Sequence, residues 1–254
     1  MAVLLSVMLL PLSGGAQSFV VSNTVADAFL AGGPGGGPSL TANNYGGAGT
    51  LAIAPASSTK GEFDSVIMFN TAAAISAINT AYGAGNWTIT GLTLSLASNV
   101  GTQGASPGNA IFNTINSGAF EIDWLSDDSW VEGTGTPASP SATGVNFDSI
   151  PTLLSGSDIL GTYNYAPPGN AIYATYVLPL DPNLVANATA GGDLSLYFYA
   201  TNGAVSYLFN SRSGSAPHPE LTLDVTPTPE PATVSLLALS LGGVWWLGRR
   251  KRIP

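Results

Sequence analysis

Cysteine is absent from the 254 residues, and histidine occurs once, at His218. Disulfides, thiolate nucleophiles and thiolate zinc sites are therefore excluded, and one histidine cannot form a histidine metal cluster. Stability must come from burial or from bound ions. Positive charge is almost as scarce. The six bases are Lys60, Arg212 and a terminal block of Arg249, Arg250, Lys251 and Arg252. Of the fifteen acids only Glu230 lies close to that block. The remainder carries two bases against fourteen acids, a formal charge near −12. Such a surface repels phosphate backbones and anionic headgroups, so no nucleic acid partner is expected, whereas divalent cations are attracted. Charged residues make up only 8% of the chain, too few for long solvated helices.

In their place stand glycine, serine, threonine, asparagine and alanine, a composition of short strands and tight turns. Residues 87–97 alternate apolar and polar side chains with period two and predict a half-buried strand. Residues 64–70 have the β-branched and aromatic content of a buried strand. Further strands are expected at 120–125, 172–180, 194–201, 206–209 and 221–225, most of them separated by turn residues. Residues 71–82 place alanine and isoleucine at helical spacing and predict one short helix or irregular turn. Many strands and one helix indicate an all-β, antiparallel β-sandwich over residues 51–226. Residues 17–50, with the run Gly32-Gly33-Pro34-Gly35-Gly36-Gly37-Pro38, are expected to be a glycine-rich linker ahead of it. That run lacks the Gly-Lys-Ser/Thr ending of a phosphate loop.

Both ends of the chain are hydrophobic. Residues 1–12 are nearly all apolar, and Gly14 and Ala16 suit cleavage after Ala16, so residues 1–16 are expected to be a secretory signal peptide. No Lys or Arg precedes Lys60, so the positive start usual for such a peptide is missing. At the other end Pro229-Glu230-Pro231 precedes an apolar stretch at about 232–248, and the four bases at 249–252 follow. The two prolines hold the motif extended, where a processing enzyme can grip it. The apolar stretch is about as short as a helix can be and still cross a bilayer, and the cations hold its end in the cytoplasm.

This order over residues 227–254 closely resembles the PEP-CTERM sorting signal of Gram-negative bacteria. The resemblance implies recognition by an exosortase-type transpeptidase, with cleavage at or near the Pro-Glu-Pro motif. It implies a precursor transiently anchored in the inner membrane, then a mature protein at the cell surface or in the exopolysaccharide matrix. An ordinary membrane anchor is the plainer alternative, but it has no need of Pro-Glu-Pro. A second resemblance covers residues 60–226. A strand Ser65-Val66-Ile67-Met68-Phe69 is followed by Ile89-Thr90-Gly91-Leu92-Thr93-Leu94, by Trp130-Val131-Glu132-Gly133, and by Ser211-Arg212-Ser213 leading to Pro219-Glu220-Leu221. This looks like the DNRLRE family of secreted jelly-roll domains, which are related to carbohydrate-binding modules. Asn70 and Ser213 depart from it where the family has acidic residues.

For chemistry the sequence offers one acidic, aromatic-rich segment. Glu121 and Asp123 stand at i and i+2 and face one side of a strand. Asp127, Asp128 and Glu132 follow, with Trp124 and Trp130 between them. Four roles are open to it. Asp123, Asp127, Asp128 and Glu132 could hold a structural Ca²⁺. Trp124 and Trp130 could stack on sugar rings. Acids between Glu121 and Glu132 could serve a polysaccharide hydrolase, which needs two carboxylates roughly 5–10 Å apart. Or the segment is a solvated acidic loop beside core tryptophans. His218 sits between two prolines and reads as a turn residue rather than a triad member. Arg212 is expected to pair with a carboxylate such as Glu132. The expectation is thus a non-enzymatic, structural or adhesive surface protein, with a carbohydrate-binding module and an extracellular hydrolase as alternatives. Extracellular polysaccharide is its expected partner besides the sorting enzyme.

Overall fold

The computed structural model describes residues 15–32, 38–58, 61–99, 118–166, 169–203 and 206–228. The signal segment up to residue 14, the sorting motif, the apolar stretch and the terminal bases lie outside the described residues. Among the described residues no helix is long and apolar enough to cross a membrane.

Eleven strands are described: β1 (Gln17–Val21), β2 (Thr24–Ala31), β3 (Thr50–Ile53), β4 (Phe63–Asn70), β5 (Trp87–Ala97), β6 (Gly118–Leu125), β7 (Asp158–Tyr165), β8 (Tyr173–Leu178), β9 (Asp193–Ala200), β10 (Tyr207–Asn210) and β11 (Glu220–Pro227). They form a four-stranded sheet β1-β11-β5-β8, a five-stranded sheet β2-β4-β9-β6-β7 and a ribbon β10-β3, and all the pairings are antiparallel. Four of the pairs are nested in the chain: β6 with β7, inside β5 with β8, inside β4 with β9, inside β1 with β11.

The two large sheets face each other across one core. Leu92, Leu94, Leu221 and Leu223 come from the four-stranded side, and Ile67, Phe69, Phe120, Ile122, Leu194 and Leu196 from the five-stranded side. Phe120 stands at the centre of an aromatic group with Tyr176, Tyr207 and Phe209. Full burial of each such side chain contributes about 1.5–3 kcal/mol. Helix α1 (Ala72–Tyr82) adds Ala74, Ile75 and Ile78 to the same core. Helix α2 (Pro182–Ala190) adds Leu184 and Ala188.

Residues 17–31, expected to belong to a glycine-rich linker, form strands instead, while residues 33–37 of the glycine run lie outside the described residues. β1 begins at Gln17, next to Ala16, and pairs with β11, while β2 forms an edge of the five-stranded sheet. The small side chains of Ala26, Ala28 and Ala31 are buried there, so alanines that look like linker filler belong to a strand packed closely on both faces. Helix α2 was also not expected. Its signals are local: Asp181 accepts the N–H groups of Asn183 and Leu184, Pro182 opens the first turn, and Gly191 ends the helix at a φ of 75°. β7 lies outside the strands expected from the sequence, and Gly161 and Asn164 interrupt its apolar pattern. β5 runs over the expected residues with an added feature. Trp87 and Ile89 have one parity, and Leu92, Leu94 and Leu96 the other, yet all five are buried. A bulge facing Asp224 and Val225 takes up the extra residue and turns both halves inward.

Candidate functional site

The outer face of the five-stranded sheet follows from strand parity. On β6, Phe120, Ile122 and Trp124 enter the inter-sheet core, so Glu121, Asp123 and Leu125 take the opposite face. On β9 the core residues Leu194, Leu196 and Phe198 leave Ser195, Tyr197 and Tyr199 outside. On β4, Ile67 and Phe69 leave Asp64 and Val66. Register brings these into rows, with Glu121 opposite Tyr199, Asp123 opposite Tyr197, and Val66 opposite Tyr197 on the other side. The chain from 126 to 154 folds back over one half of this face. It buries Val145, Leu153 and parts of Trp130, Phe147 and Ile150 against Ala28, Leu30, Val66, Leu125 and Tyr197.

Between the sheet and this returning segment lies a cleft of about 350 Å³, with Glu62, Asp64 and Tyr197 on the sheet side and Phe147, Asp148 and Ile150 opposite. Asp64 is only 2% exposed. The Tyr197 hydroxyl donates to its Oδ2 at 2.6 Å, and its Oδ1 has no hydrogen-bond partner among the described residues. Burial pushes this carboxyl up to about 7, against the downward pull of the Tyr197 bond, and the nearby Glu62 adds to the rise. Burial also raises Glu62. Asp123, buried beside Glu121, is likewise pushed up to about 7, chiefly by burial. Burial and the adjacent Asp64 raise the Tyr197 phenol far above its ordinary range. The Tyr199 hydroxyl donates to Glu121, which also accepts from Thr162 at 3.4 Å.

The acidic segment does not assemble as a Ca²⁺ site. Asp127 accepts the Ser129 N–H at 2.8 Å and is held below its usual value by Ser129. Asp128 accepts from Asn187 at 3.3 Å. Asp123 is buried on β6, and Glu132 is engaged by Arg212. Among the described residues no three acidic or histidine side chains converge as a metal site requires.

The two tryptophans do not share one face: Trp124 belongs to the inter-sheet core and Trp130 to the cluster on the outer side. Trp124 is 8% exposed in the inter-sheet core and donates to Asn187 Oδ1 at 3.0 Å. Trp130 packs on the returning segment's apolar cluster and donates to Ser195 at 2.9 Å. Strand parity explains Trp124, because it shares its side with Phe120 and Ile122. Glu121 and Glu132 do not form a catalytic pair. Glu121 belongs to β6, while Glu132 accepts the N–H of Asp27 on β2, and three strand spacings, on the order of 14 Å, separate those strands.

Arg212 pairs with Glu132, as the sequence suggested. Asp27, fully buried, accepts the Arg212 N–H at 2.7 Å, and burial pushes its carboxyl up to about 7 despite that bond. His218 lies between β10 and β11, with its Nδ1 at 3.1 Å from the Ser211 carbonyl. The residues that sequence reasoning missed are Glu62, Asp64, Tyr197 and Tyr199. The signal for three of them was available: Asp64, Tyr197 and Tyr199 occupy the non-core parity of two strands that were themselves expected.

Comparison with protein-family models finds no match to this chain, and comparison with curated proteins finds none either.

Proposed function

We propose that the chain is the precursor of an exported surface or matrix protein of a Gram-negative bacterium, a jelly roll delivered by its C-terminal tail. The jelly-roll reading is supported by the nested pairing. Numbered among themselves, β1, β4, β5, β6, β7, β8, β9 and β11 pair first with eighth, second with seventh, third with sixth and fourth with fifth. That order results when one long antiparallel hairpin is rolled over on itself into two sheets. β2 and the β10-β3 ribbon are additions at the margins.

The observation that carries the sorting reading is the position of the tail relative to the fold. β11 ends at Pro227, and the Thr228 N–H donates to the Asn86 carbonyl at 2.8 Å. The next residue is Pro229, the first of the sorting motif. A transpeptidase acting there removes the apolar stretch and the bases without touching a strand of either sheet. The mature protein is then a cysteine-free sandwich of strongly acidic charge, suited to a structural or adhesive role in a hydrated polysaccharide matrix. Intact mass spectrometry of the protein recovered from the envelope and matrix of its host tests this. The expected product begins near Gln17 and ends near residue 229, with or without added mass. A product ending at Pro254 would overturn the sorting reading and leave a plain membrane anchor.

A further inference from the structure

We propose that the cleft beneath residues 147–151 binds a protonated amino-sugar unit of an extracellular polysaccharide, with the Asp64 carboxylate accepting its ammonium group. The choice of polysaccharide as the source rests on the matrix reading above, while the ligand chemistry comes from the cleft.

Asp64 carries the inference. It lines the cleft at 2% exposure, and one of its oxygens lacks any partner among the described residues. A buried carboxylate oxygen left unpaired is costly, and a charged donor brought into the cleft removes that cost. The sign of the ligand follows from the other walls. Glu62 and Asp148 also line the cleft, and among the described residues no basic side chain does. Among the described residues the only Lys or Arg is Arg212, which is committed to Glu132. Uronates, sulfated sugars and phosphates are repelled by three carboxyl groups.

Shape narrows the cation further. Phe147, Ile150 and Pro151 supply an apolar wall of the kind that covers the C–H face of a pyranose ring, next to the Tyr197 ring. The volume of about 350 Å³ lies within the range of small-ligand pockets, which starts at roughly 300 Å³. Three carboxyl groups set apart along one cleft ask for donors spread over a ligand rather than for a single point charge. An amino sugar offers an ammonium flanked by ring hydroxyls, whereas a lysine side chain offers an ammonium on a bare stem. A metal ion fits less well, since no three carboxylates converge among the described residues.

The test is calorimetry near neutral pH on the full chain in detergent, with a glucosamine oligomer and the same oligomer fully N-acetylated as probes. The glucosamine oligomer is expected to bind saturably, and the acetylated one roughly tenfold more weakly or not at all. Asp64→Asn is expected to weaken binding by a similar factor. Glu220→Gln removes the same charge from β11 in the other sheet and is expected to leave binding unchanged. Circular dichroism checks that the variants fold; should Asp64→Asn fail to fold, the exposed Asp148→Asn carries the test with a loss of a few fold. Equal binding of both oligomers, or an equal effect of Glu220→Gln, would overturn the proposal in favour of unspecific attraction to an acidic surface. Saturable binding of a lysine peptide but not of the glucosamine oligomer would overturn it in favour of a protein partner. Neither result bears on the sorting reading, which the C-terminal mass decides alone.

Discussion

Arg212 grips Glu132 with two prongs, Nε reaching Oε1 at 2.9 Å and Nη2 reaching Oε2, across 80 positions of chain. The pair is one corner of a small polar network. The Arg212 N–H donates to Asp27, and the Asp27 N–H donates back to Glu132 at 3.2 Å. One guanidinium thus ties the turn after β10 to β2 and to the segment that covers the outer sheet face. The hydrogen bond to Glu132 is also the largest influence holding the guanidinium above its ordinary value.

Arg212→Leu is expected to lower stability by about 2 kcal/mol, measured by urea unfolding. The loss comes mainly from leaving Glu132 and buried Asp27 facing each other, since the arginine itself is partly solvated and screened. Arg212→Lys is expected to recover less than half, because a point charge cannot reproduce the fork. A lysine variant as stable as the parent would show that charge alone suffices.

Asn44 is expected to be the most sensitive polar position. It is fully buried, donates to the carbonyls of Glu132 and Val145, and accepts the N–H groups of Gly46 and Gly135 at 3.1 Å each. Asn44→Ala should cost about 3 kcal/mol or more by thermal or urea unfolding, because four backbone groups lose their partner at once. Asn44→Asp should be no better, since a carboxylate would face two carbonyls it cannot donate to. Gly135→Ala should also destabilise, by roughly 1–3 kcal/mol, because a Cβ there would come within 1.9 Å of the Asn44 carbonyl oxygen.

Stability is expected to fall as pH rises from about 4 to about 7. Asp27, Asp64 and Asp123 each titrate near 7 when folded, against an ordinary 3.8. Between those values the folded state holds protons that the unfolded chain has released, so each group adds stability fully present below 4 and lost on passing 7. The groups facing them are Glu132 and Arg212 for Asp27, Glu62 and Tyr197 for Asp64, and Glu121 for Asp123. Urea midpoints measured across this range should decline. Asp64→Asn should flatten the slope by up to about 1.4 kcal/mol per pH unit. An unchanged slope in that variant would place the proton uptake elsewhere.

The tryptophans should behave as packing residues. Trp124→Ala is expected to cost about 3–5 kcal/mol, and Trp130→Phe about 1 kcal/mol for the lost bond to Ser195. Neither change should alter retention on polysaccharide among molecules that fold, as read by co-sedimentation. Loss of retention by folded Trp130→Phe would restore that indole as a contact.

How far the sequence could be read is clearest on β6. Its period of two made it a strand, and the same period put Glu121 and Asp123 on one face. The acids and tryptophans then looked like one cluster because they are close in the chain. Parity separates Trp124 from Asp123, and the returning segment carries Asp127, Asp128 and Glu132 to three different partners. The cleft was not legible because its sides come from Glu62 and Asp64 before and within β4, Tyr197 on β9 and Phe147 in a short 3₁₀ helix. No local pattern connects positions so far apart.

Taken alone, the sequence determined the strand content, the poverty in positive charge, the absence of disulfides and the three-part tail. These depend on composition and on periods of two, which are local. Only the tertiary structure decided that residues 17–31 belong to the sheets, which carboxyls are buried, and that Asp64 rather than Trp130 lines the cleft. Those outcomes depend on pairing between distant strands and on what the segment after β6 covers. Burial sets a carboxyl's charge and an indole's accessibility, and burial is a property of the assembled fold.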